Sequence, residues 1–137
     1  MKTNAIAEIS FWLHLPIFIF WVGTFFVSTT FWPDVVYYHF WFIALLYVSG
    51  YATGLIYWPV TKKVLFLCLL TLLTQRLRGY SWTAKKTWDH SFIGELLNRA
   101  GSHALDGNKS SFDVGTLLTH ATFVVVILQY YFGIFVW

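Results

Sequence analysis

The run KKVLFLCLLTLLTQRLR, residues 62–78, decides how this chain is folded. Between Lys63 and Arg76 lie twelve residues without a charge. As a helix they reach about 18 Å at ~1.5 Å per residue, short of the ~30 Å hydrocarbon core of a bilayer. Lys62, Lys63, Arg76 and Arg78 can snorkel outward to make up part of the difference. If the run does not cross, all nine basic residues (Lys2, Lys62, Lys63, Arg76, Arg78, Lys85, Lys86, Arg99 and Lys109) fall on one side. If it does cross, they divide six against three. Cytoplasmic loops collect Lys and Arg, so charge favours three crossings with a cytoplasmic N-terminus. Hydropathy and the tight Pro59-Val60-Thr61 turn favour four, with both termini outside. Thr71, Thr74, Gln75 and Arg78 form a polar stripe at helical spacing, suited to an interfacial helix or one packed on its neighbours. The expectation adopted is an all-α bundle of four transmembrane helices, the third short and, if interfacial, leaving three.

Composition requires a membrane reading around this run. Of 137 residues, 58% are apolar, 22% aromatic and only 11% charged, against about 25% charged in soluble domains. A small soluble core cannot bury that much apolar surface. A disordered chain and a disulfide scaffold are excluded as well, since Cys68 is the only cysteine. The other apolar stretches run from about Ile9 to Phe31, Tyr37 to Tyr57 and Gly115 to Trp137. Trp32-Pro33-Asp34 and Trp58-Pro59 close the first two, because proline interrupts a helix. Tryptophans and tyrosines lie mostly near span ends, where amphipathic rings favour headgroup level. The first stretch reads as a retained signal-anchor, too long for a cleaved signal. With no internal repeat, residues 1–137 read as one transmembrane domain.

Residues 79–113 form the one extended hydrophilic stretch. Within it Trp88, Phe92, Ile93, Leu96, Leu97 and Ala100 share a helical face, with Thr83 as a cap and Gly101 as a stop. This amphipathic helix lies either on an anionic leaflet or against the bundle or a partner subunit. Ser102–Ser111 reads as a polar loop.

Histidines are the leading candidates for chemistry, because imidazole ligates haem iron, chlorophyll magnesium, copper or zinc. His14 and His39 lie near opposite membrane faces and cannot be a ligand pair. His120 shares a face with His39 in the four-crossing arrangement and with His14 in the three-crossing one. His90 and His103 lie in the polar stretch and match no zinc spacing. Gly50 and Gly54 form a small-xxx-small pair, where absent side chains let another backbone approach. No acid sits mid-span, and no phosphate loop or nucleophile–base arrangement is visible. The net charge of +3 comes from cations flanking spans, which argues against nucleic acid as a partner.

HLPIFIFWVG (His14–Gly23) followed by YWPVTKK (Tyr57–Lys63) resembles the membrane-embedded protoporphyrinogen oxidases and their relatives in the copper-resistance membrane family. That resemblance implies a four-helix unit in which His14 and Lys63 approach a haem or porphyrin. Leu13-His14, Trp32-Pro33, His39 and CLLTLLTQRLRG (Cys68–Gly79) resemble a family of small uncharacterised bacterial inner-membrane proteins, from which no activity follows. The expected function is that of a non-catalytic multi-pass protein in a bacterial inner membrane. It would be an accessory or assembly subunit of a larger membrane complex, with residues 79–113 cytoplasmic. Two alternatives stay open: a b-type haem or porphyrin protein using His14, Lys63, His39 or His120, and a pigment-associated subunit of a photosynthetic complex.

Overall fold

A computed structural model describes residues 5–99 and 108–134, leaving the side chains of Leu97 and residues 108–115 outside the description. His103, Ala100 and Gly101 lie outside the described residues. Among the described residues the chain is helical and carries no strand. Its elements are α1 (Ala5–Trp12), α2 (His14–Gly23), a 3₁₀ turn (Thr24–Phe26), α3 (Val35–Thr61), α4 (Leu69–Leu77), α5 (Lys85–Trp88), α6 (Phe92–Arg99) and α7 (Asn108–Phe132).

The first apolar stretch is an interrupted helix. Pro16 has no N–H for the Trp12 carbonyl and its ring crowds that carbonyl, so α1 and α2 meet in a break at Leu13. Together with the 3₁₀ turn they make a 22-residue apolar helical stretch, Ala5–Phe26, long enough to cross a bilayer; the 27-residue α3 is the second such stretch. Thr116–Phe132 is a shorter apolar helix. α7 itself starts at Asn108, well ahead of the expected Gly115, so the expected loop ends early. Pro59 does not close α3, which runs two residues further. A proline near a helix end removes only one hydrogen bond. The actual stop is Lys62, in the left-handed region at φ 56°, whose N–H caps the Trp58 carbonyl at 2.8 Å.

α3 is the central element, and both its neighbours run antiparallel to it. On one side Phe20 meets Phe42, and Phe25 meets His39 edge-on. On the other, His120, Phe123, Val126 and Tyr130 of α7 descend along Tyr51, Tyr47, Ile43 and Phe40. The start of α1, the end of α3 and the start of α7 therefore lie at one end of the bundle, here called the basic end.

The deciding run is not a spanning helix. Residues 64–68 are extended, and only Leu69–Leu77 is helical. From Lys62 the extended segment turns back along α3. The Leu67 N–H donates to the Gly50 carbonyl at 3.1 Å, and Leu65 lies against Gly54. A Cβ on Gly54 would collide with the Leu65 carbonyl, and one on Gly50 with the Phe66 ring. The backbone approaching the glycine pair is the chain's own. α4 then returns along α1, with Thr71 at His14, Thr74 at Ser10 and Arg78 at Glu8. Residues 62–78 thus dip into the bundle and leave at the end where they entered. Gly50 and Gly54, lacking side chains, leave the room on α3 that the non-helical residues 64–68 occupy, while Val64 and Cys68 remain exposed.

Polar side chains share the interior with the apolar clusters of Phe40, Ile43 and Val126 and of Tyr57, Leu67 and Leu72. Ser10, His14, His39, Thr53, Thr71, Thr74, Gln75 and Gln129 are buried, whereas Ile9, Ile19, Leu45, Val48, Ile56 and Leu69 are exposed.

Candidate functional site

The break at Leu13 places His14 in the first turn of α2, facing α4. Its Nδ1–H faces the Phe11 and Ser10 carbonyls at 3.1 and 3.3 Å. That fixes the tautomer, because a neutral imidazole carries one donor and one acceptor. Nε2 is then the acceptor, receiving the Thr71 hydroxyl at 3.1 Å with the Cys68 Sγ at 3.7 Å. The next turn repeats the pattern. The Thr74 hydroxyl donates to the Leu70 carbonyl at 2.9 Å, so Ser10 Oγ donates to Thr74 Oγ1 across 2.8 Å. Phe92 closes the pocket over the imidazole, stacked at 4.5 Å and 12°.

A charged cluster seals the basic end of this site. Glu95 accepts a fork from Arg78, with both N–O distances 2.7 Å, a bond of 2.6 Å from Arg99 and one of 2.7 Å from His90. Glu8 accepts from Arg99 at 2.7 Å and lies 3.4 Å from Arg78. Arg99 also lies 4.2 Å over the Phe11 ring. Burial resists ionisation of Glu95, but the bonds from His90, Arg78 and Arg99 outweigh it and hold its carboxyl far below the usual range. The cluster joins α1, α4 and α6, which lie far apart in sequence. A narrow cleft opens beside it, lined by Leu67, Cys68, Thr71, Leu72, Thr87, Trp88 and His90.

The residues expected to bind a cofactor are held separately. His120 donates from Nδ1 to the Thr116 carbonyl at 2.7 Å and accepts the Tyr51 hydroxyl on Nε2. His14 and His120 both lie in the basic half, but the extended segment passes between them, with Phe66 beside His120 and Cys68 beside His14. His39 is buried near the opposite end, packed on Phe25 with its Nε2 unpartnered. Lys63 is exposed at the turn after α3, and among the described residues no bond joins it to His14. Among the described residues no three His, Cys, Asp or Glu side chains converge as a metal set.

The amphipathic face is divided between two short helices, because Asp89-His90-Ser91 breaks the expected continuous one. Trp88 packs on the cluster of Tyr57, Leu67 and Leu72, and Phe92 packs on Phe11 and His14. Ile93 and Leu96 are half-buried, and the side chain of Leu97 lies outside the description. This segment is docked on the chain's own bundle. Sequence reasoning missed Cys68 and Thr71 as partners of His14, and Glu8, Arg78, Glu95 and Arg99 as one cluster. The visible signals were the Thr71–Thr74–Arg78 stripe and the i,i+4 spacing of Glu95 and Arg99.

No protein-family model matches the chain, and neither does any curated protein or solved structure.

Proposed function

We propose that the chain is a small integral membrane protein with three crossings and one re-entrant hairpin, serving as an accessory or assembly subunit of a larger membrane complex. The observation carrying this reading is that many large apolar side chains, Ile9, Leu45, Val48 and Ile56 among them, face outward, while serine, threonine, glutamine and histidine share the interior with a small apolar core. That pattern suits lipid as the outer solvent. The crossings are the Ala5–Phe26 stretch, α3 and α7; residues 62–78 enter and leave at the basic end. The direction follows from charge. Lys62, Lys63, Arg76, Arg78, Lys85, Lys86 and Arg99 gather at that end, whereas the turn of residues 27–34 carries Asp34 and no cation. The positive-inside rule makes the basic end cytoplasmic, with the loop of residues 79–113 on that side; a bacterial inner membrane is the proposed setting.

The accessory role draws on the separate satisfaction of His14 and His120 within the protein and on the broad outward apolar surface of α3, which includes Tyr37, Trp41 and Leu45. A second reading, as a b-type haem or pigment protein, has one observation in its favour: the unpartnered Nε2 of buried His39.

Topology is tested by impermeant maleimide labelling of single cysteines in a Cys68→Ser background. Thr3→Cys and Thr83→Cys should label only from the cytoplasmic side, and Thr30→Cys only from outside. Opposite sidedness of positions 3 and 83 would restore four crossings. Native electrophoresis in mild detergent should show the chain in a larger assembly; a monodisperse monomer sinks the accessory role. A Soret band abolished by His39→Ala would establish the haem reading instead.

A further inference from the structure

Cations at the basic end fall into two groups. Arg78 and Arg99 are neutralised by Glu8 and Glu95, and Lys85 lies 3.4 Å from Asp89. Lys62, Lys63, Arg76 and Lys86 are exposed and have no acid partner among the described residues. Two of them meet on one turn. The Arg76 guanidinium lies 5.6 Å over the Trp82 ring and donates to the Tyr80 carbonyl at 3.0 Å, while Lys86 Nζ lies 5.6 Å over the Tyr80 ring.

A second, independent observation concerns what is buried next to this turn. The Tyr57 hydroxyl, Gln75 Nε2 and Trp88 Nε1 are buried without hydrogen-bond partners. The Tyr57 and Gln75 residues are only 9% and 2% exposed. Trp88 packs on the cluster containing Tyr57 and Leu72, and Gln75 follows Leu72 by one turn of α4. Arg76 is within electrostatic reach of the Tyr57 hydroxyl. Each unsatisfied polar group is costly to bury, and all three can donate. Donors beside unpaired cations call for an acceptor-rich anion. Trp58 and Trp82, both about half exposed at this end, belong at headgroup level.

We infer that Arg76 and Lys86, together with Tyr57, Gln75 and Trp88, form a binding site for the phosphate-bearing headgroup of an anionic phospholipid. The cations draw the headgroup from the cytoplasmic leaflet, and the three donors take its oxygens. A zwitterionic lipid is disfavoured because its choline cation would meet the same patch. The inference rests on the membrane reading above.

The test uses the full chain in detergent, titrated with dioleoyl-phosphatidylglycerol or dioleoyl-phosphatidylcholine and read by native mass spectrometry. The anionic lipid should bind roughly tenfold more tightly, and Arg76→Gln with Lys86→Gln should bring the two lipids to parity. Tyr57→Phe and Gln75→Leu leave the charge unchanged. Each should weaken the anionic lipid several-fold, while the lipid-free protein melts at the same temperature or higher. Parity in the wild type, or full selectivity in both Tyr57→Phe and Gln75→Leu, overturns the site. Competition by millimolar inorganic phosphate overturns the lipid assignment in favour of a free-anion site. If the chain enters vesicles of neither lipid, the membrane reading falls too; insertion into both with equal affinity removes this proposal alone.

Discussion

Replacing Gly54 by alanine tests the re-entrant path directly. Helix propensity alone favours the change, since glycine in a helix interior costs roughly 0.5–1 kcal/mol relative to alanine. Packing opposes it. The added Cβ would overlap the Leu65 carbonyl, which is backbone and cannot rotate aside. Residues 64–68 must move away from α3 by an ångström or more, and the Leu67-to-Gly50 hydrogen bond is lost with them. Overpacking costs about 1–3 kcal/mol and a buried hydrogen bond about 0.5–1.5 kcal/mol. After the propensity gain, Gly54→Ala should destabilise the fold by roughly 0.5–4 kcal/mol. Gly23 is the matched control, because it is helical and nothing lies within 4 Å of an added Cβ. Gly23→Ala should therefore be neutral or stabilise by up to about 1 kcal/mol. Thermal unfolding in one detergent, followed by circular dichroism, compares the two on equal terms. If Gly54→Ala melts at or above Gly23→Ala, residues 64–68 do not lie against α3 and the re-entrant hairpin is wrong.

Three further outcomes are expected. Lys62→Gly should stabilise the chain by about 1 kcal/mol, because a left-handed non-glycine residue is strained; a lower melting temperature would show that the Lys62 side chain contributes more than its φ costs. Glu95→Gln should cost roughly 2–4 kcal/mol, between the values for exposed and buried pairs. Since the Glu95 carboxyl is held far below its usual range, its stabilisation is present above the unfolded value of about 4.3 and is lost as pH falls from there toward the native value; melting profiles should show a weaker acid dependence in Glu95→Gln than in wild type. His14→Ala removes the acceptor at 3.7 Å from Cys68 Sγ, so alkylation of Cys68 at neutral pH by a small membrane-permeant maleimide should slow several-fold if the imidazole assists thiolate formation; an unchanged rate would show that the pair is structural.

The apolar stretches were legible because hydropathy is a property of consecutive residues: α3 contains the expected Tyr37–Tyr57, and Ala5–Phe26 overlaps the expected Ile9–Phe31 but starts and ends four to five residues earlier. The break at Leu13 was implicit in Pro16, but the helix continuing through Pro59 was not, since it depends on how Lys62 caps the end. The candidate site was legible only in fragments. His14, the Thr71–Thr74–Arg78 stripe, Trp88 and Phe92 each stood out, and nothing local tied them together. The interval of 57 residues between His14 and Thr71 and that of 91 between Glu8 and Arg99 carry no periodic signal.

The run from Lys62 to Arg78 shows where the division falls. By itself the sequence determined the helical apolar stretches and the fact that all the cations gather on one side if this run turns back. It did not determine whether the run turns back. Twelve uncharged residues can form a short helix that bonds to itself or an extended segment that borrows partners, and hydrophobicity alone does not separate them. The tertiary structure divided the run: residues 64–68 are extended, because Gly50 and Gly54 leave α3 bare where a second backbone can lie and the Gly50 carbonyl is there to receive the Leu67 N–H, and Leu69–Leu77 is the short helix. The choice depends on the shape of a distant surface, which exists only once the helices have packed.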